Sequence, residues 1–158
     1  MLWIFIISLF DIFYMIPLVH VEVEPHVREQ MLMKVNNVRK NGCRCGKRYM
    51  APAGPVKWDE TLYKSAMSHA LDMASNKFFA HYSSDGLNIG DRLEKIGYDW
   101  QVVGENLGEG QKSFDEVLED WMESYSHCVM LMNPKVDEMA VARYEKYWVQ
   151  HFGKKMRR

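Results

Sequence analysis

Gly104-Glu105-Asn106-Leu107-Gly108 is the stretch that leaves this chain the least freedom. It sets an acid between two glycines, where a turn is expected, and a capped helix follows it. Ser113-Phe114-Asp115-Glu116 reads as a capping box, with serine at the N-cap and glutamate at N3. Phe114, Val117, Leu118, Trp121 and Met122 share one apolar helical face, and Glu119, Asp120 and Glu123 form the solvated side. Ser124-Tyr125-Ser126-His127-Cys128 comes just past the helix end, and His81 closes the earlier run Lys77-Phe78-Phe79-Ala80-His81. The expectation is that His81, Glu105 and His127 converge on one cleft. Their separations, 24 residues and then 22, match no local metal motif such as H-E-x-x-H. Glycines 104, 108 and 110 lack phosphate-loop spacing, and Glu105 and Glu109 would repel phosphate.

The remaining chain reads as scaffold. At 158 residues it has the length of one domain with a real core. The formal net charge is −1 and no basic stripe crosses the body, which argues against nucleic acid as a partner. Residues 2–19 are apolar apart from Ser8 and Asp11, with Pro17 near the end. Asp11 and the marginal length argue against a spanning helix, and no Lys or Arg precedes the run. Residues 1–22 are therefore expected to be an export signal of poor quality, or else an anchor, and 23–158 a single domain. Membrane contact is expected only through that segment if it stays uncleaved.

Val27, Met31, Val35 and Val38 mark an amphipathic helix ended by Asn41-Gly42. Cys43 to Val56 reads as a loop. Asp59 caps a second helix, with Trp58 stapling onto Tyr63. On that helix His69 points at the core, where a hydrogen-bonded structural role is expected, and Phe78-Phe79 look like core plugs. Asn88 to Ile96 is a short helix stopped by Gly97, and Tyr98 to Val103 a strand. Met139–Arg143 and Lys146–Phe152 read as a β-hairpin turning at Tyr144-Glu145. This order suits α/β layers around one sheet. Three cysteines in an exported protein would make one bridge and a spare thiol, and spacing does not choose between Cys43 and Cys45 as the partner of Cys128.

The chain carries the ordered landmarks Val35-Asn36-x-x-Arg39, Phe78-Phe79-x-His81, Asp85-Gly86, Arg92 and Gly104-Glu105-Asn106. Further on come Trp121-Met122-x-Ser124-x-x-His127-Cys128, Met132-Asn133-Pro134 and Tyr147-Trp148-x-Gln150-x-Phe152-Gly153. From about residue 29 to 153 this pattern resembles the CAP superfamily of cysteine-rich secretory, antigen-five and pathogenesis-related proteins, in its bacterial SCP-like form. The resemblance implies an α-β-α sandwich, an extracellular or periplasmic setting, and a histidine and glutamate cleft that in some members binds a divalent metal. It implies that His81 and Glu105 are cleft residues, that His127 matches the bacterial Ser-x-x-His signature, and that Cys45 pairs with Cys128. The chain departs from the eukaryotic pattern in two places. Ser124 stands where a second glutamate is found, and about Tyr147 where a later histidine is found. Tyr125-Ser126 replaces the usual Pro-Gly before His127.

Two functions compete on these residues. In the first, the protein is a binding module whose cleft (His81, Glu105, His127, Ser124, Tyr147) takes a divalent cation, a lipid, or a peptide or protein partner. His81, Glu105 and His127 would then supply three ligands to Zn²⁺ or another divalent cation, and Tyr82, Trp121 and Tyr147 would wall the groove. In the second it is a hydrolase, with metal-bound water or with Glu105 as general base and His127 assisting. No third group orients His127 towards Ser124, and Cys128 beside His127 could serve as a nucleophile only if it is not bridged.

Overall fold

The computed structural model describes residues 23–157, so the expected signal or anchor segment lies outside the described residues. The chain runs α1 (Pro25–Asn41), β1 (Cys43–Cys45), β2 (Arg48–Met50), β3 (Lys57–Trp58), α2 (Glu60–Asn76) and α3 (Ile89–Lys95). It continues through β4 (Trp100–Glu109), α4 (Phe114–Glu123), α5 (Tyr125–Leu131), β5 (Glu138–Tyr144) and β6 (Tyr147–Lys155). The main sheet has the order β3-β5-β6-β4, with β3 parallel to β5 and the other pairs antiparallel.

Period-two alternation sends each strand's side chains to two separate cores. Met139, Val141, Trp148 and Phe152 pack with Met31, Val35, Val117, Trp121, Cys128 and Leu131, so α1, α4 and α5 cover one face. Ala140, Ala142, Tyr147 and Val149 pack with Leu62, Ala66, Ala70, Met73 and Leu93, so α2 and α3 cover the other. The result is the expected α-β-α sandwich. β4 is an outer strand of this sheet, so groups on it can be reached from both faces.

Local signals account for the helix ends. Asp59 accepts hydrogen bonds from the Thr61 and Leu62 amides, and the Trp58 and Tyr63 rings lie 5.8 Å apart. Asn88 and Asp91 form a reciprocal capping box on α3. Ser113 accepts from the Glu116 amide as expected, but the Glu116 carboxylate accepts from the Lys112 amide instead of completing the box.

Three elements differ from the sequence reading. The Cys43 to Val56 loop contains a two-stranded hairpin, with Cys45 opposite Arg48. His127 and Cys128 lie within α5, which starts immediately after α4 at Ser124. The Gly104–Gly108 turn is no turn: β4 stays paired to β6 through it, with Glu105 opposite His151 and Gly108 opposite Trp148. The glycines serve close packing. A Cβ at Gly104 would lie 2.1 Å from Met130 Sδ, and one at Gly108 2.5 Å from Val117 Cγ2. The chain turns at Gly110 instead, where φ is +99°.

Gly104→Ala is expected to destabilise the fold by about 1–3 kcal/mol through this overpacking of α5 on β4. Gly54→Ala, where a Cβ meets nothing within 4 Å, is the control. Equal urea midpoints for the two variants would show that helix approach does not select glycine at 104.

Candidate functional site

Glu105 sits at the middle of β4 with its side chain only 2% exposed, on the face covered by α2 and α3. Each of its oxygens is taken. Oε1 accepts from His81 Nδ1 at 2.8 Å. Oε2 accepts from Arg92 Nη2 at 2.5 Å and from His151 Nε2 at 2.8 Å. Register explains His151, which stands directly across the ladder on β6. Arg92 reaches in from α3, and its Nη1 also donates to the carbonyls of His81 and Leu87 and to Ser83 Oγ. One guanidinium thus fixes the loop that carries His81 and neutralises the acid below it. His69 lies behind, with Nε2 donating to the Ala80 carbonyl at 2.9 Å while standing 4.0 Å from Glu105 Oε2. That is the structural role expected for it.

The electrostatics follow from burial and these contacts. Burial alone would push the Glu105 carboxyl up, but hydrogen bonds from His151 and His81, with the charge of Arg92, outweigh it and hold the group far below the usual carboxylate range. His151 and His69 are pushed down chiefly by burial, which disfavours the charged form of each ring. His81 is pushed up, first by its hydrogen bond to Glu105. Its Nδ1–H is committed to that carboxylate, which leaves Nε2 as the atom of a 59% exposed ring that meets solvent.

His127 comes from the opposite face of the sheet. Asn106 Nδ2 donates to its carbonyl at 3.2 Å and to Gln150 Oε1 at 3.0 Å, fixing α5 to β4 and β6. The His127 ring is pushed down by burial and then by the charge of His81, so the two imidazoles feel one another across the outer strand.

The structure therefore joins His81 to Glu105 and sets His127 near His81 without a hydrogen bond to the acid. Ser124 stands at the N-cap position of α5 without a side-chain capping bond, its Oγ 3.4 Å from Ser126 Oγ, and among the described residues it makes no hydrogen bond to the His127 ring. Tyr147, expected in the cleft, is 4% exposed in the α2-side core and stacks on Phe79 at 6.4 Å between centroids. Phe79 in turn is 46% exposed, a lid on Tyr147 and no core plug. Trp121 is buried with Nε1 donating to the Leu107 carbonyl, so it forms no wall. The exposed aromatics flanking the two histidines are Phe79, Tyr82 and Tyr125.

A three-ligand cation site does not fit this arrangement. Both Glu105 oxygens already accept from side chains, and a guanidinium 2.5 Å away would oppose a second cation. Among the described residues, His81, Glu105 and His127 do not bring their donor atoms within 4.8 Å of one another; Cys43, Cys45 and Cys128 do. Cys45 and Cys128 are joined in a disulfide, and Cys43 is free.

Sequence reasoning missed two partners of the acid. Arg92 sits in the last turn of a short helix, where a cation ordinarily faces water. His151 carried a fainter signal: it shares strand parity with Tyr147 and Val149, which face inward.

The profile of the cysteine-rich secretory protein family, CAP, matches residues 32–152. The chain belongs to this family. YkwD, an uncharacterised protein of Bacillus subtilis (strain 168), is 34% identical over 100 residues, covering 62% of this chain and 39% of the relative. YlbC, an uncharacterised membrane protein of the same organism, is 31% identical over 100 residues, covering 63% and 29%. The chain thus spans well under half the length of either relative. An extracellular protein containing an SCP domain from Bacillus anthracis str. Ames superposes with a TM-score of 0.67 at 22% identity, over 85% of this chain and 45% of that one. An outer surface protein of Borrelia burgdorferi gives 0.70 at 22% identity, over 81% and 92%. At these identities the likeness establishes the CAP fold and nothing finer. No helix among the described residues is long and apolar enough to cross a membrane.

Proposed function

We propose that this CAP domain is an extracellular binding module, and that the rim formed by His81 and His127 docks a peptide or protein segment. The observation that carries the reading is the saturation of Glu105 by His81, Arg92 and His151. A carboxylate held that far down in pKa is a poor base, since general-base catalysis works best with a pKa near the working pH. Nor do the described residues hold an activated nucleophile. Ser124 Oγ approaches Ser126 Oγ and makes no hydrogen bond to a base among the described residues, and Cys128 is bridged. Glu105 instead orients His81, whose imidazole edge meets solvent, and the exposed Phe79, Tyr82 and Tyr125 lie within two residues of His81 or His127 in the chain. Aromatic rings beside polar edges suit peptide recognition, because they bury area with little loss of rotamer freedom. The surface setting of the structural relatives supports an extracellular location.

Turnover of generic ester and peptide substrates by the full chain is expected to stay at background, and to be the same for His127→Ala. Activity abolished by that substitution would make the cleft catalytic. Calorimetric titration of Zn²⁺ is expected to show no one-to-one binding that depends on both His81 and His127. Saturable binding lost in His81→Ala and in His127→Ala alike would replace the docking reading with a cation site.

A further inference from the structure

Cys43 lies beside the bridge, its Sγ 3.7 Å from Cys128 Sγ and 4.0 Å from Cys45 Sγ. Near-equal distances place the thiol lateral to the disulfide. An attacking sulfur in line with the bond would lie farther from the leaving sulfur by about one S–S length, roughly 2 Å. Thiol exchange is therefore poorly aligned. The spacing fits a different chemistry. Three thiolates around one tetrahedral Zn²⁺, each at about 2.3 Å, stand about 3.8 Å from one another. Cys43 already holds that distance from both other sulfurs, so only the bonded pair has to separate.

We propose that Cys43, Cys45 and Cys128 form a redox-gated thiolate site, a disulfide with a spare thiol when oxidised and a holder of one zinc-like cation when reduced. Reduction by a dithiol balances the step: two electrons and two protons pass to the Cys45–Cys128 bond, and the dithiol closes to its own disulfide. Binding the cation then releases three thiol protons. The scaffold is independent of the bridge, because Cys43 and Cys45 are fixed by the β1–β2 ladder and Cys128 by α5. Cys43 is the partly exposed member and gives the entry path, while the other two are fully buried. Solvent supplies the fourth position.

The test is titration of Co²⁺, then competition by Zn²⁺, on full-length protein reduced with a phosphine. One Co²⁺ per chain is expected, with sulfur-to-cobalt charge-transfer bands and an unchanged far-ultraviolet circular dichroism spectrum. Cys43→Ser keeps the bridge and the oxidised fold, yet after reduction it should bind more than about 100-fold more weakly, since loss of an outer-shell partner alone costs 10–100-fold. His81→Ala and His127→Ala should bind as wild type does. Three results would overturn the proposal: equal affinity in Cys43→Ser, equal affinity in the oxidised protein, or binding only with loss of the native spectrum.

Discussion

Glu105→Ala is expected to lower the free energy of unfolding by about 3–5 kcal/mol, the range seen when one half of a buried ion pair is removed. Arg92 would keep its charge in the interior with only neutral acceptors, the His81 and Leu87 carbonyls and Ser83 Oγ. His151 Nε2–H would lose its acceptor in a fully buried ring. Glu105→Gln separates charge from shape. The amide fills the same space, but its NH₂ must face one of the three donors that now point at oxygen. Most of the loss is therefore expected to persist in the glutamine variant. Urea denaturation followed by circular dichroism measures both, and a glutamine variant within about 1 kcal/mol of wild type would show that the hydrogen bonds are dispensable and the charge unimportant.

The same group sets the response to acid. The folded Glu105 carboxyl titrates below its unfolded value of about 4.3, so its stabilisation is complete above that pH and is lost as pH falls through the folded value. His151 and His69 act with the same sign. Their folded values lie below about 6.5, so the unfolded chain takes up protons first and stability declines below that pH. His81 has the opposite sign, its contribution being present below about 6.5 and lost as pH rises through its raised value. That ring is mostly exposed, so solvent screening keeps its term small. Stability should thus fall on the acid side of about pH 6.5, and Glu105→Ala should flatten the steepest part of that limb, below about pH 4.3.

Why the layers could be read from sequence and the acid's partners could not is a matter of range. Helical stripes and caps are local, so α1, α2 and α4 were legible from Val35, Asp59 and Ser113. The hairpin of β5 and β6 was legible from alternation, although its turn falls one residue later, with Glu145 in a left-handed conformation at φ 53°. Gly104 and Gly108 misled because glycine has two uses. Turn geometry is a local property, whereas contact with Met130 and Val117 from two later helices is not. Likewise His81 and Glu105 carry a loop and motif signature, but His151 meets the acid only through strand register, and Arg92 only through the packing of α3. Aromatic residues were the least legible. Tyr147 and Trp121 are ring-bearing residues near functional ones in sequence, yet their apolar area takes them into the two cores.

Arg39→Met is expected to cost about 3–5 kcal/mol, for reasons opposite to those at Glu105: here a buried cation has no anion. Arg39 is 0% exposed in the last turn of α1, and no acidic side chain pairs with it among the described residues. Carbonyls alone hold it. Nε donates to Gly54 at 2.8 Å, Nη1 to Leu131 at 2.7 Å and Asn133 at 3.1 Å, and Nη2 to Val136 at 3.3 Å. Leu131 ends α5, so the guanidinium also meets the negative end of that helix. Methionine would fill much of the space and leave these carbonyls unpaired away from water. Arg39→Lys keeps the charge, but a single ammonium has no fork with which to reach Gly54 on one side and Val136 on the other. It should therefore recover less than half of the loss, and a lysine variant equal to wild type would show that charge alone suffices. Cys128, three residues before Leu131, bridges the same short helix to the β1 hairpin. Two restraints on one helix should couple, because with either intact the helix stays seated beside β4, and with both gone it keeps its packing and the Asn106 bond to the His127 carbonyl without either restraint. Arg39→Met in the reduced protein is accordingly expected to lose more stability than the sum of substitution and reduction taken singly. Strict additivity in that cycle would place the two restraints in independent parts of the fold.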